Sequence, residues 1–157
     1  MKRTFLIAIV ALGLNGAVSN TYAQQQADLE KLSSQLDGVL TKLETVMDNI
    51  QQMTLALNEA DYGWSRGADI QIERAHNYFR QVWNTAQIAE VVRDPQDYQR
   101  VLRYLRISCK TAKTIGDNVT KSLNSSLVRM NAKALIAEIR AARDLIQSLN
   151  RTPLCEP

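Results

Sequence analysis

QADLEKLSSQLDGVLTKLETVMDNIQQMTLALNEA, residues 26–60, decides the fold. Leu29, Leu32, Leu36, Val39, Leu43, Val46, Ile50, Met53, Leu57 and Ala60 step by 3 and 4 in unbroken alternation. That is the a/d heptad of a helix burying one stripe. Leu40 and Met47 fall at e and widen the stripe, and apart from Lys42 the e and g positions carry almost no charge. A wide stripe without a charge code suits an intramolecular bundle better than a free zipper. The pattern predicts a helix over 26–59.

Downstream, Gly63 and Gly67 predict a break at 60–68. Ala68, Ile72, Ala75, Phe79, Val82, Ala86 and Ala89 then form a second helical stripe, giving a helix at 69–92. Asp94-Pro95 ends it, since the residue before proline is biased out of the helical region. The same pair starts the next helix: Asp94 as N-cap, Pro95 at N1, and Asp97 set against the positive end of the helix. Its stripe runs from Tyr98 through Leu102, Leu105, Cys109, Ala112, Gly116 and Val119 to Leu123, giving a helix at 95–122. Asn124-Ser125-Ser126 offers the next cap, and Val128, Ala132, Leu135, Ile139, Ala142, Ile146 and Leu149 predict a helix at 126–150. Four amphipathic helices with short links predict an all-α, antiparallel up-down-up-down four-helix bundle as one domain, 24–157.

The first 23 residues read as an address. Lys2 and Arg3 precede an apolar run, Phe5 to Leu14, and Thr21-Tyr22-Ala23 supplies a cleavage site. Ten apolar residues are too few to cross a hydrocarbon core, which needs about 20. A signal peptide at 1–23 is therefore expected, with the exported chain starting near Gln24 in the bacterial periplasm or outside the cell, and no integral membrane segment after cleavage. In an oxidising compartment Cys109 and Cys155 are expected to pair. The disulfide would close a loop of 46 residues, worth about 4 kcal/mol by chain entropy. The tail after the last helix must fold back over the third to bring them together.

Charge divides the exported chain. Residues 24–65 hold 2 basic and 7 acidic residues, whereas 66–157 hold 15 and 9. The near-neutral total gives nucleic-acid binding no support. Arg100, Arg103, Arg106, Lys110 and Lys113 line up at helical spacing off the apolar stripe. They read either as a solvated face or as a docking face for an acidic partner. Glu30, Asp37 and Glu44 make an acidic line at seven-residue steps, able to meet the basic one within the bundle or across a homodimer. Tyr62 and Trp64, in the predicted turn, read either as a cap on the bundle end or as an aromatic anchor for a partner.

Enzyme chemistry has no support. The single histidine, His76, excludes a multi-histidine metal site, and C-x-x-C, G-x-S-x-G and phosphate-loop motifs are absent. His76 is expected at the bundle edge. Ala27-Asp28-Leu29-Glu30 and the four-helix plan resemble periplasmic cytochrome b-type bundles. That family's haem ligands, an N-terminal Met and a C-terminal His, have no counterpart here, so no cofactor, metal or family is assigned. The sequence points to a binding protein whose partner is another protein, such as an accessory factor of an envelope or secretion assembly or a toxin inhibitor or immunity protein. The alternative is a bundle holding a small ligand or cofactor.

Overall fold

The computed structural model describes the backbone of residues 8–55, 59–130, 132–149 and 152–155, with side chains from residue 23 onward except those of 53–63. The elements are α1 (Ala8–Leu55), α2 (Glu59–Val91), α3 (Pro95–Arg129), α4 (Lys133–Ser148) and a 3-10 turn, η (Pro153–Cys155). No strand occurs among the described residues. Neighbouring helices are α1 with α2, α2 with α3, α3 with α4, and α4 with α1, which leaves α1 and α3 on one diagonal. This is the antiparallel up-down-up-down four-helix bundle.

The core is built from the apolar stripes. Leu29, Leu32, Leu36, Val39, Leu43, Val46 and Ile50 of α1 are buried, as are Ile72, Phe79 and Val82 of α2, Leu105 and Cys109 of α3, and Ile139 and Ile146 of α4. Met53, Leu57 and Ala60 fall among the side chains outside the description. Polar pairs fix the register between stripes. Ser33 donates to Glu90 at 2.9 Å across α1–α2, and Lys42, the exceptional charge of the heptad, meets Glu138 of α4 at 2.8 Å.

Several boundaries differ from the sequence expectation, among them the end of α1, which is described to Leu55 rather than 59, with Glu59 and Ala60 already in α2. Helix α1 extends back to Ala8 rather than starting near 26, because no proline interrupts the residues before the heptad. The signal peptide falls partly on residues 1–7, outside the description. Helix α2 starts at Glu59, not 69, so residues 60–67 are helix rather than a Gly-broken turn. Each helical glycine costs about 1 kcal/mol against alanine, and burial of Ser65 and Ala68 together with packing of Trp64 against the core offsets it. Helix α3 runs to Arg129 rather than 122. Gly116 sits where a Cβ would come within 2.7 Å of the Phe79 ring and 2.9 Å of Ile146, so it is a contact point, not a breaker. Ser125 and Ser126, expected as caps, lie inside α3 and donate back to the carbonyls of Lys121 and Ser122. Helix α4 therefore spans only Lys133–Ser148 and starts at Ala132 without a side-chain cap bond. The predicted α3 start holds: Asp94 accepts from the backbone N–H groups of Gln96 and Asp97, both at 2.9 Å.

At 16 residues, α4 is less than half the length of α3, so it cannot cover the whole seam. The tail completes the fourth corner. Thr152 donates to Gln35 of α1 at 2.6 Å, Leu154 and Cys155 are buried, and Cys155 is joined to Cys109 in a disulfide with a Cα–Cα distance of 5.3 Å. Among the described residues no helix is long and apolar enough to cross a membrane.

Candidate functional site

The outer face of α3 carries the predicted basic row. Between Tyr98 and Gly116 the chain contains no acidic residue; Asp97 and Asp117 flank the row on the same helix. Arg100 is paired with Asp97 at 3.2 Å, but both side chains are largely exposed, which makes the pair weak. Arg103, Arg106 and Lys110 are exposed and enter no ion pair among the described residues. Lys113 is half-buried. It lines an open hollow of about 440 Å³ with Lys110, Thr114, Asp117, Gln147 and Cys155.

Asp117 closes the basic row at the α4 side. Arg143 donates to it at 3.0 Å and Gln147 at 3.3 Å. The hydrogen bond from Arg143 is the main reason its carboxyl sits below the ordinary aspartate range, with partial burial opposing the shift. Arg143 and Gln147 thus tie that carboxylate to α4.

Two apolar side chains sit among these cations. Tyr104 is 59% and Ile107 61% exposed. At the end of α2 that leads into α3, Ile88 and Val91 are also exposed. Among the described residues, four of the six exposed large apolar side chains thus fall on one end of the α2–α3 hairpin. The periodicity reading missed them because it keeps only residues in phase with the core. The available signal was phase: Ile107 follows Leu105 by two positions, which turns it away from a 3.6-residue stripe.

The acidic line does not meet the basic row inside the bundle. Glu44 lies 2.9 Å from His76 Nε2, accepting its N–H when that nitrogen carries the proton, and accepts from Arg80 at 3.2 Å, both residues being on α2. His76 is buried, 7% exposed, rather than at an exposed edge; its ring reaches across the α1–α2 seam to that carboxylate. Glu30, Asp37 and Asp48 remain exposed on α1. Trp64 is half-buried against the core, and the Tyr62 side chain lies outside the description. The indole N–H of Trp83 is closed off without a partner among the described residues.

Cys109 is fully buried and bonded to Cys155, so it presents no thiolate to His76. Among the described residues no group of three or more His, Cys, Asp or Glu side chains is placed to hold a metal ion. The outer face of α3 brings exposed Arg, Lys, Tyr and Ile side chains together. Compared with known protein families, curated proteins and solved structures, the chain has no match.

Proposed function

We propose that the protein is exported and works by binding another protein through the outer face of α3, as an accessory factor of an envelope or secretion assembly or as the inhibitor of a toxin. One observation carries this reading: Arg103, Arg106 and Lys110 stand exposed without ion-pair partners among the described residues, with Tyr104 and Ile107 exposed among them. Arginine and aromatic side chains dominate interface hot spots, and a one-sign row steers an oppositely charged partner. The disulfide and the lack of a membrane-crossing helix among the described residues fit export.

The face, rather than the Tyr62–Trp64 segment, is favoured because Trp64 is spent on core packing. The experiment is capture of the partner from an envelope extract, followed by kinetics. Tyr104→Ala should weaken binding by about 2 kcal/mol. Replacing Arg103 and Arg106 with Ser should slow association and flatten its salt dependence. A captured partner that binds both variants as tightly as the parent protein would remove this face from the site, and loss on Trp64→Ala alone would return it to the aromatic segment.

A further inference from the structure

Among the exposed charges, two rows of opposite sign lie on diagonal helices. On α1 the exposed acids Glu30 and Asp37 lie seven residues apart, and Asp48 continues the row; none of the three enters an ion pair among the described residues. On α3 the exposed cations Arg103 and Lys110 are also seven apart, with Arg106 between them. Seven helical residues rise about 10.5 Å, so two carboxylates of one row can face two cations of the other in a single register.

Since α1 and α3 are not neighbours in the bundle, the rows cannot neutralise each other within one molecule. Their outward faces point away from each other, so two copies cannot make both contacts around one two-fold axis. We infer that the protein self-associates head to tail, the acidic α1 row of one copy seated on the basic α3 row of the next. Such a contact is heterologous, using a different patch on each side, and it propagates unless a ring closes. The occupant of the α3 face is then a second copy. This rests on the α3 face being a docking surface, and it specifies that surface's chemistry as complementary to an acidic helix with heptad-spaced carboxylates. Exposed pairs are individually weak and screened by salt, so association belongs to high local concentration and low ionic strength.

Sedimentation equilibrium of the purified protein tests it. At about 10 mM salt, where the screening length is about 30 Å, the weight-average mass should rise with protein concentration to at least about twice the monomer value. At about 1 M salt it should return to the monomer. Two charge-reversed variants sharpen the result: Glu30→Lys/Asp37→Lys/Asp48→Lys destroys the acidic row, and Arg103→Glu/Arg106→Glu/Lys110→Glu destroys the basic one. Each has one intact face and should stay monomeric alone. Mixed, they contain one complementary pair of native faces and one pair of reversed faces, so association should be restored and again be lost at high salt. A monomeric parent protein at low salt overturns self-association while leaving capture of a different partner to decide the α3 reading. Association that ignores salt, or survives in either variant alone, overturns it in favour of an apolar contact.

Discussion

Helices α1 and α4 occupy neighbouring corners of the same bundle and are held there by different means. Helix α1 supplies a continuous apolar stripe, buried from Leu29 to Ile50. It docks by burial, and its polar contacts only set register. Helix α4 has 16 residues and no side-chain N-cap bond. Its buried stripe is Leu135, Ile139, Ala142 and Ile146, and its end is tied down by the η turn and the disulfide to α3. A short helix buries too little surface to offset the entropy of ordering itself and its tail, so the chain adds a covalent link at that corner. The comparison teaches that a heptad makes its own anchorage, whereas a short amphipathic helix borrows it from a tether.

Removing the tether should have the largest effect. Replacing Cys109 and Cys155 together with Ala is expected to cost about 4 kcal/mol, from the 46-residue separation the bridge constrains. Denaturant unfolding gives the value, and a cost under about 1 kcal/mol would mean α4 docks as independently as α1. Leu43→Ala attacks the other side of the comparison. This fully buried side chain lies in the middle of the stripe, and its loss should cost about 3 kcal/mol through the cavity it leaves. A near-neutral result would show that the seam relaxes, and burial would no longer explain α1.

Glycines sharpen the contrast between packing and propensity. Gly116→Ala should destabilise by about 2 kcal/mol, because the new methyl meets the Phe79 ring and Ile146, both fully buried or nearly so. Gly67→Ala, where a Cβ meets nothing within 4 Å, should instead stabilise by about 0.5–1 kcal/mol through helix propensity. Thermal melts of the pair should move in opposite directions; movement in the same direction would contradict the account of α2 and α3.

The smallest effect concerns Asp117, which ties α3 to α4. Its carboxyl is held below the ordinary range chiefly by the hydrogen bond from Arg143. A lowered folded value stabilises above the unfolded value, and this contribution is lost as pH falls through the folded one. With 41% of the aspartate side chain exposed, Asp117→Asn should cost about 0.2–1 kcal/mol at neutral pH, and the difference from the parent should vanish in acid. A gap that persists in acid would assign the loss to packing.

The helix stripes were legible because a 3.6-residue apolar period is a property of many residues together, and no single irregular residue erases it. Boundaries depend on one or two residues and were harder to read. Gly63 and Gly67 look like a break, yet α2 runs through them because the residues around them are needed in the core. Asn124-Ser125-Ser126 looks like a cap, yet the serine hydroxyls bond within the helix. The true end of α3 has no strong cap to announce it: Met130 closes the helix with backbone bonds, and Ala132 opens the next without a side chain. The basic row was readable from spacing alone. The exposure of Tyr104 and Ile107 was not, since hydrophobicity predicts burial and only phase contradicts it.

The bridge between Cys109 and Cys155 also makes the carboxy-terminal part of the molecule topologically closed. The second half of α3, the turn to α4, and α4 itself lie inside one covalent ring. Arg129, exposed in the last turn of α3, sits within that ring. A protease that cuts there severs the backbone and releases nothing: the two pieces remain one molecule until the bridge is reduced. In a compartment that contains proteases but few reductants, the chain can be nicked at Arg129 without shedding α4.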